Sequence, residues 1–292
     1  MDTIHNRAIL SLAYKLIDKY ENLSIFGGIV REYIIPCIDK GINPFTELTE
    51  KDFSEKIDDV DIYFSGDNYP DETDFLEWFF GDLNYKLAEW DWIAEDPVKH
   101  TDMYLTEGYK VNLKHSLCGI TTHIDFVKSG SINQDADVNV FSFGKSRGID
   151  IIPRNPKERS INSFFTGVKI FKDIAQKINR KELNMCGGCL FDSERKENNK
   201  LSLLIERFIK YIRKGWTVLN IDNDIIILKE KHDCNICYTA ESDMYIKLTC
   251  SNCFLCLSCF EKLLNSSILE EEKYYFSCPT CRKQIVPWKK IC

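Results

Sequence analysis

The stretch that decides the C-terminal fold runs from Cys234 to Cys281 and reads CNICYTAESDMYIKLTCSNCFLCLSCFEKLLNSSILEEEKYYFSCPTC. Its eight cysteines form four CxxC pairs, separated by spacers of 12, 2 and 18 residues. A CxxC turn lets two sulfurs converge on one ion at about 2.3 Å, and eight thiolates are a complete ligand set for two tetrahedral zinc ions. Since a segment of about 60 residues has too small a core to fold well without such a staple, the spacing predicts two closed structural zinc sites.

The order of these pairs resembles the RING finger family in an all-cysteine variant, with Cys253 where most members have histidine. The resemblance implies that the ligands interleave. One zinc would be held by Cys234, Cys237, Cys256 and Cys259, and the other by Cys250, Cys253, Cys278 and Cys281. Thiolate is an equally good zinc ligand, so the cysteine in place of histidine changes only the charge of the site.

A rival interpretation takes the central run Cys250, Cys253, Cys256 and Cys259 as a four-iron cluster motif of the ferredoxin kind. The first spacings of that motif match. The last does not, because two residues rather than three precede Cys259 and Phe260 follows it instead of proline. The flanking pairs are also left without a role, so iron content is what distinguishes the two interpretations.

RING fingers commonly act as ubiquitin ligases that dock a ubiquitin-conjugating enzyme on a shallow apolar groove, and the matching positions here are Ile236 and Pro279. Arg282, directly after the last ligand, resembles the family's arginine that hydrogen-bonds both ubiquitin and the conjugating enzyme. The resemblance therefore implies a ubiquitin ligase whose partners are ubiquitin and a conjugating enzyme. The alternative is a structural zinc module used only for protein contacts.

The N-terminal segments FGGIVRE (26–32), DDVDIYF (58–64) and HIDFVK (123–128) resemble the nucleotidyltransferase fold of the DNA polymerase β superfamily, especially the heads of tRNA nucleotidyltransferases and bacterial poly(A) polymerases. The resemblance implies that Gly27 and Gly28 let the backbone approach a triphosphate. It further implies that Asp59, Asp61 and Asp125 hold two magnesium ions about 3.5 to 4 Å apart for nucleotidyl transfer.

A later segment, DADVNVFSF (135–143), looks like the DFTINALAY stretch of the same family, with Asp135 and Asn139 at matching positions. Together with Arg31, which would reach a phosphate, these residues complete the implied nucleotide-binding set. Gln134 stands where the family usually has arginine, and Glu32 where it has aspartate. The alternative is a retained fold whose carboxylates are only surface groups and whose role is to recruit substrate.

Composition and charge indicate how many domains the chain has and where its charge lies. The chain has 292 residues with 44% hydrophobic and 28% charged residues, which is typical of a folded protein of about two domains and excludes wholesale disorder. Residues 1–144 carry a net charge of −15, residues 145–214 carry +9 and the remainder carries −1. The basic segment either balances the acidic part or faces a polyanion such as a nucleotide or RNA.

Cellular placement follows from what the sequence lacks. The longest aliphatic run is Ile225–Leu228, and the N-terminus has no basic start followed by an apolar block, so we expect neither a membrane span nor a secretory signal. Thirteen cysteines then indicate a reducing compartment, cytoplasmic or nucleocytoplasmic. The domain fusion and the Ile-, Lys- and Asn-rich composition resemble proteins of large DNA viruses, which would place the chain in a host cell.

The sequence therefore predicts an α+β protein: a nucleotidyltransferase-like mixed-sheet head at 1–143, a basic helical extension at 144–228 and a cross-braced zinc domain at 229–292. The leading function is ubiquitin ligation, with the head recruiting substrate or nucleic acid. The alternatives are an active magnesium-dependent nucleotidyltransferase carrying a RING-like interaction module, and a non-enzymatic adaptor. Cys186 and Cys189 form a fifth CxxC and are interpreted as free thiols, the alternative being a third zinc site completed by Cys37, Cys118 or a histidine. The five histidines lack HxxxH spacing and receive no role.

Overall fold

The computed structural model describes residues 3–48, 53, 56–64, 71–101, 107–127, 136–146, 148–151, 164–185, 197–240, 242, 244–270 and 273–287. The chain divides into two compact units. The N-terminal unit comprises Met1–Gln134 with Val138–Asn179, and the C-terminal unit comprises Asp135–Asp137 with Arg180–Cys292. Among the described residues no helix is both long enough and apolar enough to span a membrane.

The N-terminal unit is built on one mixed sheet. Its strands are β1 Leu23–Phe26, β2 Asp59–Phe64, β3 Trp92–Ala94, β4 Val98–Thr101, β5 Glu107–His115, β6 Thr121–Val127, β7 Phe141–Gly144 and β8 Gly148–Ile151. They lie in the order β3-β5-β6-β2-β1-β7-β8, with β4 paired to β5. Of the described pairings in this sheet, the one between β2 and β6 is parallel and the others are antiparallel.

The helices of this unit are α1 Thr3–Lys19, α2 Gly27–Ile29, α3 Ile35–Asp39, α4 Glu72–Asp74, α5 Phe80–Glu89 and α6 Phe164–Arg180, of which the last ends at the unit boundary. Short π-helical turns, Val30–Ile34 and Phe75–Phe79, join α2 to α3 and α4 to α5, and Asp137–Asn139 forms a 3-10 turn. The sequence alone predicts helices over residues 4–20 and about 72–88, and strands over 23–26, 58–64 and 121–128. The observed elements confirm these bounds within one or two residues.

An aromatic cluster forms the core on one face of the sheet. Phe75 is fully buried and stacks on Tyr109 with ring centroids 3.8 Å apart and planes 8° apart. Phe64 and Phe126, from the central strands β2 and β6, lie 6.0 Å apart in the same cluster. Burial of an apolar side chain of this size contributes about 1.5 to 3 kcal/mol, so the strands that carry the carboxylates are fixed by packing that needs no ligand.

The C-terminal unit contains α7 Glu197–Arg213 and α8 Leu257–Asn265, with strands β9 Glu182–Leu183, β10 Thr217–Val218, β11 Ile225–Leu228, β12 Tyr245–Leu248, β13 Cys253–Cys256, β14 Ile268–Glu270, β15 Lys273–Ser277 and β16 Gln284–Ile285. These strands form a parallel pair, β10-β9, and two three-stranded sheets, β11-β12-β13 and β14-β15-β16. The model is thus mixed α+β with a C-terminal cysteine cluster, as predicted.

The helix α7 shares a core with the cysteine module. The sequence predicts an apolar stripe along this helix, and the members whose burial is described, Leu204, Ile205, Phe208, Ile209 and Ile212, are buried. The ring of Phe208 lies 6.3 Å from that of Phe260 on α8, which in turn lies 5.8 Å from Phe276. Gly215, which the sequence predicts as the end of the helix, follows it with a φ of +78°. Glycine adopts this left-handed conformation without the penalty that a Cβ brings.

One strand differs from the sequence interpretation. The sequence predicts a short strand and a linker over residues 216–232, but the structure has two strands there, and β11 pairs antiparallel with β12 of the cysteine module. Asp224, just before β11, accepts hydrogen bonds from Thr249 Oγ1 (2.8 Å) and Lys283 Nζ (2.5 Å). The strand predicted to belong to the helical extension is therefore hydrogen-bonded to the module, although the three domain boundaries themselves stay a prediction.

Candidate metal centres

The first cysteine cluster consists of Cys234, Cys237, Cys256 and Cys259, whose sulfur atoms all lie within 4.8 Å of one another. Cys237 Sγ and Cys256 Sγ are 3.8 Å apart. The last two residues come from the end of β13 and the first turn of α8, where Cys256 caps the helix and its sulfur accepts a hydrogen bond from the amide of Cys259 at 3.4 Å. A loop and a helix start thus converge on one point.

The second cluster brings together Cys250, Cys278 and Cys281, again with all sulfurs within 4.8 Å. The sulfurs of Cys281 and Cys250 are 3.5 Å apart. Cys253, the fourth predicted ligand, is not one of this set, but it is buried, and burial followed by the neighbouring Cys278 sulfur raises the pKa of its thiol. Cys253 therefore lies beside the cluster it was predicted to complete.

The sulfur spacing fits a metal ion better than a disulfide. Four sulfurs at about 2.3 Å from a central ion occupy tetrahedron corners about 3.8 Å apart, whereas a disulfide holds its sulfurs at about 2.05 Å. The Cys281–Cys250 and Cys237–Cys256 sulfur distances, 3.5 and 3.8 Å, match the first spacing, and all eight cysteines are free thiols. The two clusters can hold metal ions such as zinc.

The clusters also take their members from alternate CxxC pairs. The first and third pairs supply one cluster, and the second and fourth supply the other. This is the interleaving that the RING resemblance implies, and the observation is compatible with a RING-like module. The ferredoxin-like interpretation is wrong for the described geometry, because Cys256 and Cys259 lie in one cluster and Cys250 in the other.

The same backbone turn occurs at both ends of the module. At the first pair, the amide of Tyr238 donates to Cys234 O (2.8 Å) and that of Cys234 to Thr239 O (3.1 Å). At the last pair, the amide of Arg282 donates to Cys278 O (2.9 Å) and that of Cys278 to Lys283 O (2.9 Å). Tyr238 and Arg282 both have left-handed φ, at 58° and 63°. Two unrelated sequences thus reach one ligand-presenting geometry.

Local hydrogen bonds already favour the thiolate form at two positions. The hydroxyl and amide of Thr239 lower the pKa of Cys237 to about 6. Burial opposes ionisation of Cys278, but the amides of Cys281 and Thr280 and the Ser251 hydroxyl lower its pKa to about 7. Burial and neighbouring sulfurs act in the other direction elsewhere, raising the pKa of Cys250 to about 11. A divalent cation between the sulfurs would relieve this repulsion, since it stabilises all the thiolates together.

The residues predicted to contact a conjugating enzyme are accessible. Ile236 is 41% exposed although it lies between two cysteines of the first cluster, and Pro279 and Arg282 are exposed at the last pair. The amide of Ile236 donates to Cys234 Sγ at 3.4 Å, so the backbone of Ile236 is tied to the cluster. An exposed aliphatic side chain held in this way is available for binding.

A second candidate centre lies on the sheet of the N-terminal unit. The parallel strands β2 and β6 pair Asp59 with His123 and Asp61 with Asp125. One ligand atom from each of Asp59, His123 and Asp125 lies within 4.8 Å of the others. His123 Nε2 is 3.3 Å from Asp125 Oδ2 and 3.9 Å from Asp59 Oδ2. Its hydrogen bond with Asp125 raises the pKa of His123 above the ordinary value.

Asp61, predicted to share the metal site with Asp59 and Asp125, is placed differently from them. Its carboxylate lies against Gly27, where an added Cβ would be 2.1 Å from Oδ2. Gly27 also has a φ of +68°, so both the conformation and the space require glycine there. Gly28, by contrast, has an ordinary φ, and the closest atom to an added Cβ, Arg31 Nη2, is 4.0 Å away.

Two predicted nucleotide-binding residues contact each other. Arg31 is buried and donates from Nη1 to Asn139 Oδ1 at 2.6 Å, while Nε and Nη2 donate to Glu32 Oε1. Arg31 therefore holds Asn139 and the start of β7 against the helix that follows β1. Asp135, Gln134, Cys186 and Cys189 lie outside the described residues, as does part of the basic segment 145–214.

His123 is the residue that the sequence analysis missed. Its signal was present: in HIDF it precedes Asp125 by two residues, and alternate residues of a strand share a face. Its partner Asp59 lies on another strand, so only the register of β2 and β6 shows that the three side chains meet. Comparisons of the chain with protein families, with curated proteins and with solved structures give no match.

Proposed function

We propose that the chain is a RING-type ubiquitin ligase that docks a ubiquitin-conjugating enzyme through its C-terminal zinc module. The observation that carries the proposal is the interleaving of four CxxC pairs into two sulfur clusters. In this arrangement Cys234, Cys237, Cys256 and Cys259 would hold one zinc, and Cys250, Cys253, Cys278 and Cys281 the other. Zinc there would supply structure rather than reactivity, because a four-thiolate site leaves no open position for a substrate.

The proposed docking surface consists of Ile236, Pro279 and Arg282. All three belong to the first and last CxxC turns, so the metal sites that fix these turns would also fix the residues that touch the enzyme. Ile236 would supply apolar contact. Arg282 would donate hydrogen bonds to ubiquitin and the conjugating enzyme at once, restricting the thioester to reactive orientations.

Ubiquitin transfer in the reconstituted system tests this proposal. The full chain is incubated with ubiquitin, activating enzyme and a panel of conjugating enzymes, and chain formation is followed on gels. We expect Ile236→Ala to reduce the rate at least tenfold with at least one conjugating enzyme. Ile226→Ala is the matched control, because Ile226 is 42% exposed against 41% for Ile236 and lies in β11.

Arg282 provides a second, independent readout. Arg282→Ala should slow ubiquitin discharge while leaving binding of the free conjugating enzyme nearly unchanged, because its proposed contact includes ubiquitin. No chain formation with any conjugating enzyme by a protein that holds two zinc ions, or full activity in both variants, would contradict the ligase proposal.

A second candidate function, nucleotidyl transfer, is favoured by the meeting of Asp59 and Asp125 on one sheet face and by the close approach of the Asp61 carboxylate to the backbone at Gly27. In this proposal the carboxylates would bind magnesium with a nucleoside triphosphate, and the ion would neutralise phosphate charge. If the N-terminal unit has no transfer activity, we propose that it and the basic segment 145–214 recruit substrate or RNA to the ligase.

Transfer of label from a radioactive nucleotide to RNA, protein or a small acceptor tests the second candidate. We expect transfer to be lost in Asp125→Ala and in Asp61→Ala, and retained in Asp96→Ala, since Asp96 is an exposed residue outside the carboxylate face. Absence of transfer with magnesium and with manganese would refute this candidate. Failure of both assays would leave the non-enzymatic adaptor.

A further inference from the structure

We propose that Asp59, His123 and Asp125 form a mixed nitrogen and oxygen site that binds a first-row transition ion, with Mn²⁺ preferred to Mg²⁺. The inference concerns binding of an ion alone, so it depends neither on ubiquitin ligation nor on nucleotidyl transfer. It differs from a site made of three aspartates in both membership and chemistry. His123 is a ligand in this site, and Asp61, which lies beside Gly27, is not.

The register of two parallel strands creates the site. Asp59 and His123 are direct partners across β2 and β6, and Asp125 follows His123 by two residues on the same face. The intervening residues Val60 and Ile124 are fully buried on the opposite face. Because the buried face fixes register, the three polar side chains are held over one another before any ligand arrives.

The distances that form the His123 ion pairs are also those at which ligands of one ion lie from each other. An ion with bonds of about 2.0 to 2.2 Å keeps its ligand atoms about 3 to 4.4 Å apart. His123 Nε2 stands at 3.3 Å from Asp125 Oδ2 and 3.9 Å from Asp59 Oδ2, and all three ligand atoms lie within 4.8 Å. One imidazole nitrogen faces both carboxylates, which is the arrangement that three ligands on one side of an ion require.

The imidazole sets the preference among ions. Magnesium takes oxygen ligands and keeps several waters, whereas imidazole nitrogen suits the first-row transition metals. Mn²⁺ shares the affinity of Mg²⁺ for carboxylate oxygen and, as a first-row transition ion, also binds nitrogen ligands, so two carboxylates with one imidazole favour it over Mg²⁺. The side chains of Asp59, His123 and Asp125 are 40%, 25% and 22% exposed, so water can complete the coordination shell.

The competing interpretation gives His123 the opposite role. A protonated imidazole between two carboxylates would be a built-in counter-ion that occupies the position of the metal. The two roles predict opposite effects of removing the ring. Loss of a ligand weakens Mn²⁺ binding, whereas loss of a competing cation strengthens it.

Electron paramagnetic resonance of Mn²⁺ bound to the zinc-loaded full chain distinguishes them. At pH 8, titration should show one ion per chain at this site, bound at least tenfold more tightly than Mg²⁺ in competition. The spin-echo spectrum should carry modulation from one directly bound imidazole nitrogen. His123→Ala should abolish that modulation and lower the Mn²⁺ affinity about tenfold or more, while changing the Mg²⁺ affinity much less.

Two controls keep the result unambiguous. His115→Ala removes a half-buried histidine from β5, where it packs on Trp92, and should leave both the modulation and the affinity unchanged. His123→Gln guards against a folding defect and should also lose the nitrogen signal. Mn²⁺ bound without nitrogen modulation, unchanged or tighter binding in His123→Ala, or a Mn²⁺-to-Mg²⁺ preference that is the same in both proteins would overturn the proposal.

Discussion

The two candidate centres are held in place by different means. In the N-terminal unit, the residues of the Asp59–His123–Asp125 group project from strands whose other face is packed into an aromatic core around Phe75 and Phe126. In the C-terminal module, most of the candidate ligands are themselves buried: five of the eight cysteines lie in its interior. The core of the N-terminal unit does not contain its candidate ligands, whereas in the C-terminal module the candidate ligands are part of the core.

This difference makes metal removal the largest expected effect. Structural zinc contributes an apparent 10 to 16 kcal/mol in small zinc-binding peptides at pH 7, which is as large as the whole stability of a typical domain. We expect a strong chelator to abolish hydrogen-exchange protection in β12, β13 and α8 while leaving β1, β2 and β6 protected. Added zinc should restore it. Persistent protection of α8 in the metal-free chain would refute this view of the module.

The second prediction concerns a substitution in the apolar core of the N-terminal unit. Phe75→Ala removes a fully buried ring stacked on Tyr109 and should lower the free energy of unfolding of the N-terminal unit by about 3 to 5 kcal/mol, with no change in zinc content. This loss in the free energy of unfolding is measured by urea unfolding that is monitored by hydrogen exchange. Trp78→Ala, on the same helical segment but 73% exposed, is the control and should cost less than about 0.5 kcal/mol. Equal losses in both variants would contradict the role of the core.

A smaller effect is expected at the approach of Gly27 to Asp61. Gly27 and Gly41 both have left-handed φ, +68° and +71°, but only at Gly27 does an added Cβ meet an atom within 4 Å. Gly27→Ala should therefore cost about 1 to 3 kcal/mol more than Gly41→Ala, the usual cost of overpacking. The excess should vanish in an Asp61→Ala background, because the two changes share one contact. Additive losses in the double variant would show that Asp61 is not the obstacle.

The smallest effect concerns the exposed pair of Lys86 and Glu89 on α5. The hydrogen bond from Lys86 Nζ, at 2.8 Å, lowers the pKa of Glu89. A lowered carboxyl pKa stabilises the fold above the unfolded-state value of about 4.3, and this stabilisation is lost as the pH falls through the folded-state value. Carbon NMR titration should show the Glu89 carboxyl below its ordinary range, and back within it in Lys86→Gln. An unchanged titration in that variant would exclude the contact.

The sequence was informative where a local pattern sufficed. Alternation predicted β2, an apolar run ending in two glycines predicted β1, and three- and four-residue spacing predicted α1 and α7. Pairing between distant segments carries no such pattern. Nothing in residues 225–228 indicates that β11 joins β12, and Asp61 could be separated from Asp59 only by the β1–β2 register that places it beside Gly27.

The same distinction explains the sites. CxxC spacing identified the candidate metal ligands, because a CxxC turn is a local pattern. Which two CxxC pairs share one ion is not a local property, and the assignment that the sulfur clusters match came from the RING resemblance. His123 was overlooked because its two-residue spacing to Asp125 indicates only that the two side chains share a strand face. Its proximity to Asp59 is a property of the parallel register between β2 and β6.

The central claim is that two interleaved thiolate clusters each enclose one divalent ion. The most direct test is zinc-edge X-ray absorption, together with a measurement of metal content, on the chain purified in reducing buffer. The account predicts two zinc ions per chain, each with a shell of four sulfurs at about 2.3 Å, and a shift to three sulfurs at one site in Cys253→Ser. Iron in place of zinc, nitrogen or oxygen filling the wild-type shell, or cystines in place of thiolates would contradict it.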